Sequence, residues 1–90
     1  MGTLYCNPEG QEGKKQGLGQ LNTLIPIEGV SGWSIMVTYH QNPRVIWQLY
    51  HKERGVTEKV GNERRFGLGE STSVELGKQR YIVKHGIETF

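Results

Sequence analysis

Glycine occurs thirteen times in this chain of 90 residues, and alanine not once. Alanine favours the helix most, and glycine, proline apart, favours it least. A chain that omits the first and repeats the second has little to build helices from. Over the second half the glycines recur at short intervals, at Gly55, Gly61, Gly67, Gly69, Gly77 and Gly86. They separate the short runs Val56–Val60, Glu63–Leu68, Thr72–Leu76 and Gln79–His85, none of which has helical periodicity. Short strands with turn residues between them describe a small all-β domain, an antiparallel barrel or sandwich of about six or seven strands.

The clearest strand is Trp33–His40, where Trp33, Ile35, Val37 and Tyr39 alternate with mostly polar residues. Before it, Pro26 stands among Leu24, Ile25 and Ile27, which restricts that run to an edge strand or a bulge. Residues 44–54 read two ways. A helix would start at Asn42-Pro43 and stop at Gly55, with Val45, Ile46, Leu49 and Tyr50 on one face. A strand better suits the β-branched and aromatic residues Val45, Ile46, Trp47 and Tyr50, and the short turn behind them favours a hairpin. Residues 7–20 hold four glycines, one proline and one large apolar side chain, too little to offset the entropy of ordering them. The expected organisation is a flexible arm over 1–20 and a single β domain over 21–90, with Thr3–Cys6 either a short edge strand or a frayed end.

Leu, Ile, Val and Phe make up 22 of the 90 residues, enough for a core but a thin one. A domain of this size buries only about 60–65% of its unfolded surface. Self-association is one way to bury more, and both faces of 44–50 are apolar enough to be covered.

The repertoire for chemistry is short. Aspartate is missing altogether, which excludes the usual carboxylate-rich calcium loops. The lone Cys6 cannot form an intrachain disulfide and lies beside the expected arm, a poor platform for a nucleophile. His40, His51 and His85 lack metal-ligand spacing, and a hairpin about 41–43 would hold the first two apart. The run Gly13–Gly19 lacks the Gly-Lys-Ser/Thr ending of a phosphate-binding loop. These features predict no catalytic residue, no metal and no cofactor. With no apolar run long enough to cross a membrane and one cysteine, a cytoplasmic protein is expected.

What remains is surface. Residues 44–85 carry a net charge of +4 and residues 1–43 a net of −1. Arg64, Arg65, Phe66, Arg80, Lys84 and His85 interleave cations with rings, as single-stranded nucleic-acid binders do when cations meet phosphates and rings stack on bases. On a strand, however, Arg80 and Lys84 would point away from Tyr81. Tyr39, Trp47 and Tyr50 are the candidate interface residues, because aromatics are enriched at protein contacts. The stretch 72–88 resembles the last strands of the tryptophan RNA-binding attenuation protein family, oligomeric β proteins. It spans under a fifth of the chain, and that family's threonine- and glycine-rich ligand loop has no counterpart, so it does not place the chain there. The expectation is a non-enzymatic binding or assembly module acting through protein contacts or as a homo-oligomer. The alternative is a single-stranded RNA or DNA binder.

Overall fold

The computed structural model describes residues 2–11, 17–18, 20–41 and 43–87. Those residues contain no helix and eight strands: β1 (Gly2–Pro8), β2 (Gly17–Leu18), β3 (Ile25–Pro26), β4 (Trp33–Gln41), β5 (Arg44–Glu53), β6 (Val56–Phe66), β7 (Ser71–Leu76) and β8 (Gln79–Ile87). They pair antiparallel into two four-stranded sheets, β2-β1-β8-β7 and β3-β4-β5-β6, here sheets A and B. Leu4, Cys6, Val74, Leu76, Tyr81 and Val83 of sheet A pack against Ile35, Val37, Val45, Trp47, Leu49 and Phe66 of sheet B in one buried cluster. The fold is all-β, and of the two expected forms it is the sandwich.

Two connections show how sequence sets the hairpins. Between β5 and β6, Arg54 and Gly55 both have positive φ, 53° and 78°, the conformation a two-residue turn needs to match strand twist. Between β7 and β8, Gly77 at φ 68° takes the first place of a two-residue turn. Residues 44–53 are strand β5, in the interior of sheet B, which settles the helix alternative. There Val45, Trp47 and Leu49 are buried on the core side, a role that suits alternation better than a helical stripe. Pro26 lies in β3, at the edge of sheet B, where its missing N–H costs no ladder bond.

The N-terminus differs from expectation. Residues 2–8, read as part of a flexible arm or at most an edge strand, form β1, which lies between β2 and β8. It pairs with β8 from Gly2↔Ile87 to Pro8↔Tyr81 and buries Leu4, Tyr5, Cys6 and Asn7. A run that looks too short to stay ordered gains its partner from the far end of the chain. The rest of the expected arm at 12–16 and 19 lies outside the described residues.

Two irregularities in sheet B position the surface described below. On β4 the register shifts between Val37 and Tyr39, so that Val37 pairs with Trp47 but Tyr39 with Ile46. Thr38 is the extra residue, and its hydroxyl donates to Ile46 O at 3.4 Å. Such a bulge reverses the sense of alternation beyond it: His40 turns toward the core and Tyr39 turns out. On the other side of β5, Trp47 pairs with Arg64 and Leu49 with Val60, leaving Gly61–Glu63 to bulge past Gln48. The buried Gln48 amide spans that gap, its Nε2 donating to Leu49 O, Val60 O and Gly61 O at 3.0, 3.2 and 3.3 Å.

Candidate functional site

The cation-and-ring set expected for nucleic acid does not converge. Phe66 is only 8% exposed and packs edge-on against Trp47, with ring centroids 5.4 Å apart. His85 is wholly buried. Neither ring can offer a face to a base, because each faces inward on its strand. Arg65 lies on the outer side of sheet B, while Arg80 and Lys84 lie on the outer side of sheet A. Arg80 sits near Glu75 and Glu9, at 3.5 and 3.9 Å. Arg64 extends over the Trp47 ring, 5.6 Å from its centroid. The interface set also divides. Trp47 is a core residue at 0% exposure, whereas Tyr39 is 42% exposed and Tyr50 half-buried.

The structure instead places Tyr39, Tyr50 and Arg65 on one face of sheet B. Opposite the core, the registers align Tyr39 with Ile46 and Arg65 in one row across β4, β5 and β6. Met36 and Gln48 form the next row, and Ser34, Tyr50 and Lys59 the one after. The result is an apolar strip of Met36, Tyr39, Ile46 and Tyr50 bordered by cations. At one end a cleft of about 480 Å³ opens between Tyr39, Arg44, Ile46, Arg65, Gly67 and Glu70. Tyr39 is fixed on its rim by a hydrogen bond from its hydroxyl to Gln41 Oε1 at 2.6 Å. Glu70 closes the other wall, its carboxylate accepting from Gly67 N at 2.8 Å. Arg44, Ile46 and Lys59 were missed by sequence reasoning. The alternation of Val45, Trp47 and Leu49 would have placed Ile46 on the outer face, but the place of Tyr39 beside it depends on the bulge at Thr38, which no local pattern announces.

The polar groups inside the sandwich are few. His40 and His85 meet ring edge to face, centroids 5.6 Å apart at 80°. His85 Nδ1 donates to Gly67 O at 3.1 Å, and its Nε2 is buried and without a hydrogen-bond partner. His40 sits by the β4–β5 turn opposite Val45, and His51 at the far end opposite Trp33, on whose ring it stacks at 4.2 Å. The two are apart, as the hairpin predicts, but the contact of His40 with His85 was not foreseen. No three His, Cys, Asp or Glu side chains among the described residues gather as a metal site would require. Cys6 is buried, and desolvation pushes its thiol up to about 12, so it remains protonated and unreactive at neutral pH. Burial likewise raises the Tyr81 phenol, with Cys6 adding to the effect. No helix among the described residues is long and apolar enough to cross a membrane. The chain matches no family model, no curated protein and no solved structure.

Proposed function

We propose that the protein is a non-enzymatic β module that works by contact, joining a protein partner or further copies of itself through the outer face of sheet B. The observation that carries this reading is the strip of Met36, Tyr39, Ile46 and Tyr50 on the side of the sheet away from the core. An outward sheet face normally alternates to polar residues. Apolar and aromatic side chains there, beside arginine, have the composition of a contact surface. The test is solution mass by light scattering over a concentration series. The wild type is expected to associate, and Tyr39→Ser with Ile46→Ser to weaken that association while keeping the β circular dichroism spectrum. A strict monomer throughout the series would remove the self-assembly form of the reading.

A second reading is favoured by one specific feature. Tyr39 and Tyr50 share their face with Arg65 and Lys59, and Arg44 lines the cleft at Tyr39. Rings beside cations on one sheet face suit single-stranded nucleic acid, with stacking contributing about 1–3 kcal/mol per base. Fluorescence anisotropy at low salt should then show binding that falls steeply as salt is added and weakens in Tyr39→Ala. No binding to mixed-sequence oligonucleotides at low salt would end this reading.

A further inference from the structure

We propose that two copies of the protein associate edge to edge through β6, antiparallel and centred on Gly61, so that their two B sheets continue into one. This rests on the contact-module reading and names the partner as a second copy of this chain. β6 is the outermost strand of sheet B, eleven residues long, and ten of them are exposed. The opposite edge of the same sheet is covered over the first half of β4, where β3 pairs with Ser34 and Ile35 and Leu21 bridges to Val37. An open edge of this length presents a row of backbone donors and acceptors to any strand that can approach it.

Charge selects the strand that can. Edges are guarded when their charges repel a copy of themselves, but on β6 the order is Glu58, Lys59, Glu63, Arg64, Arg65, and in the register centred on Gly61 Arg65 falls opposite the neutral Thr57. Turned antiparallel about Gly61, Glu58 stands opposite Arg64 of the second copy and Lys59 opposite its Glu63, and symmetry repeats both pairs. A shift of one residue either way sets Glu58 against Glu63, or Lys59 against Arg64. The centred register alone makes all four directly opposed charge pairs attractive.

The faces agree as well. Glu58 and Arg64 pair with His51 and Trp47 of β5 in the same phase as the inward pair Leu49↔Val60, whereas Lys59 pairs with Tyr50 on the outward side. At the centre Gly61 has φ 73°, and a Cβ built there would meet nothing within 4 Å. The surrounding bulge is braced from within by Gln48, so the new ladder forms as two short arms, residues 57–60 against 62–65. Glu63 already touches Arg65 at 3.4 Å, but both side chains are more than half exposed, and such a pair is weak enough to be shared.

Sedimentation equilibrium tests this on the whole chain with two variants, E58K/E63K (an all-positive edge) and K59E/R64E (an edge negative at all four paired positions, with Arg65 left opposite Thr57). Wild type is expected to dimerise at or below ~1 mM, more weakly as salt screens the pairs. Each variant should weaken the dimer at least ~10-fold, and an equimolar mixture of the two should restore it. Circular dichroism checks folding, and the single reversals E58K and R64E, mixed in the same way, serve if a double variant unfolds. A wild-type dimer that neither variant weakens, or variants that fail to recover on mixing, would overturn the edge pairing and leave contact through another surface standing. A wild type monomeric up to ~1 mM would overturn the edge pairing and self-assembly together.

Discussion

Cys6 and Tyr81 are ionisable groups held neutral in the interior of the sandwich, and their burial ties stability to pH. The Cys6 thiol is raised from 9.0 to about 12. A group whose folded value is raised contributes fully below its unfolded value and loses that contribution as pH climbs to the folded one. Unfolding by urea should therefore become easier between about pH 9 and pH 12, by an amount on the order of a few kcal/mol. The raised Tyr81 phenol acts with the same sign. Cys6→Val should flatten the first part of that decline. If the midpoint does not change over this range, the thiol is not held in a dry core. Trp47 fills the centre of the same interior at 0% exposure. Trp47→Ala should cost about 3–5 kcal/mol in the same assay, and a loss below ~1 kcal/mol would place the ring at a surface.

At the scale of elements, most strands were legible, but β1 and the short β2, both inside the expected arm, were not. The glycines and the alternation in Trp33–Val37 mark strand and turn by local chemistry, and Pro26 marks an edge for the same reason. β1 carries no such signal. Its burial comes from pairing with β8, nearly the full chain length away, and non-local pairing leaves no trace in a short window. The same holds for the candidate surface. Sequence picked out Tyr39 and Tyr50 as aromatics, but strict alternation put Tyr39 on the face of Val37, and Thr38 reverses it. Phe66 and His85 were misread because a ring beside a cation looks alike whether the strand turns it inward or outward, and Trp47 because an aromatic on a strand reads the same at a core as at an interface. The bulge in β6 yields a direct test. Gln48→Leu keeps the volume but removes the donor to Val60 O and Gly61 O. It should destabilise the fold by about 1–3 kcal/mol and speed amide exchange in β5 and β6. An unchanged midpoint would mean that the bulge is held by backbone alone.

At the scale of the whole molecule, the proposed contact role rests on a difference between the outer sides of the two sheets. The outer side of sheet A carries Arg80 beside Glu75 and Glu9 at one end, and Tyr5 and Asn7 are buried farther along it. The outer side of sheet B carries the tyrosines and Ile46, and its free edge carries self-matching charges. If β6 edges join, two such strips become neighbours on one continuous sheet, a broader platform than either copy offers alone. The most direct measurement is the residue-resolved amide spectrum of the labelled protein followed as its concentration rises. Shifts and broadening are expected in β6 and at the outward residues Met36, Tyr39, Ile46 and Tyr50, with slower tumbling. A spectrum and tumbling time that stay constant, or changes gathered on Arg80, Ile82 and Lys84 of sheet A, would contradict it.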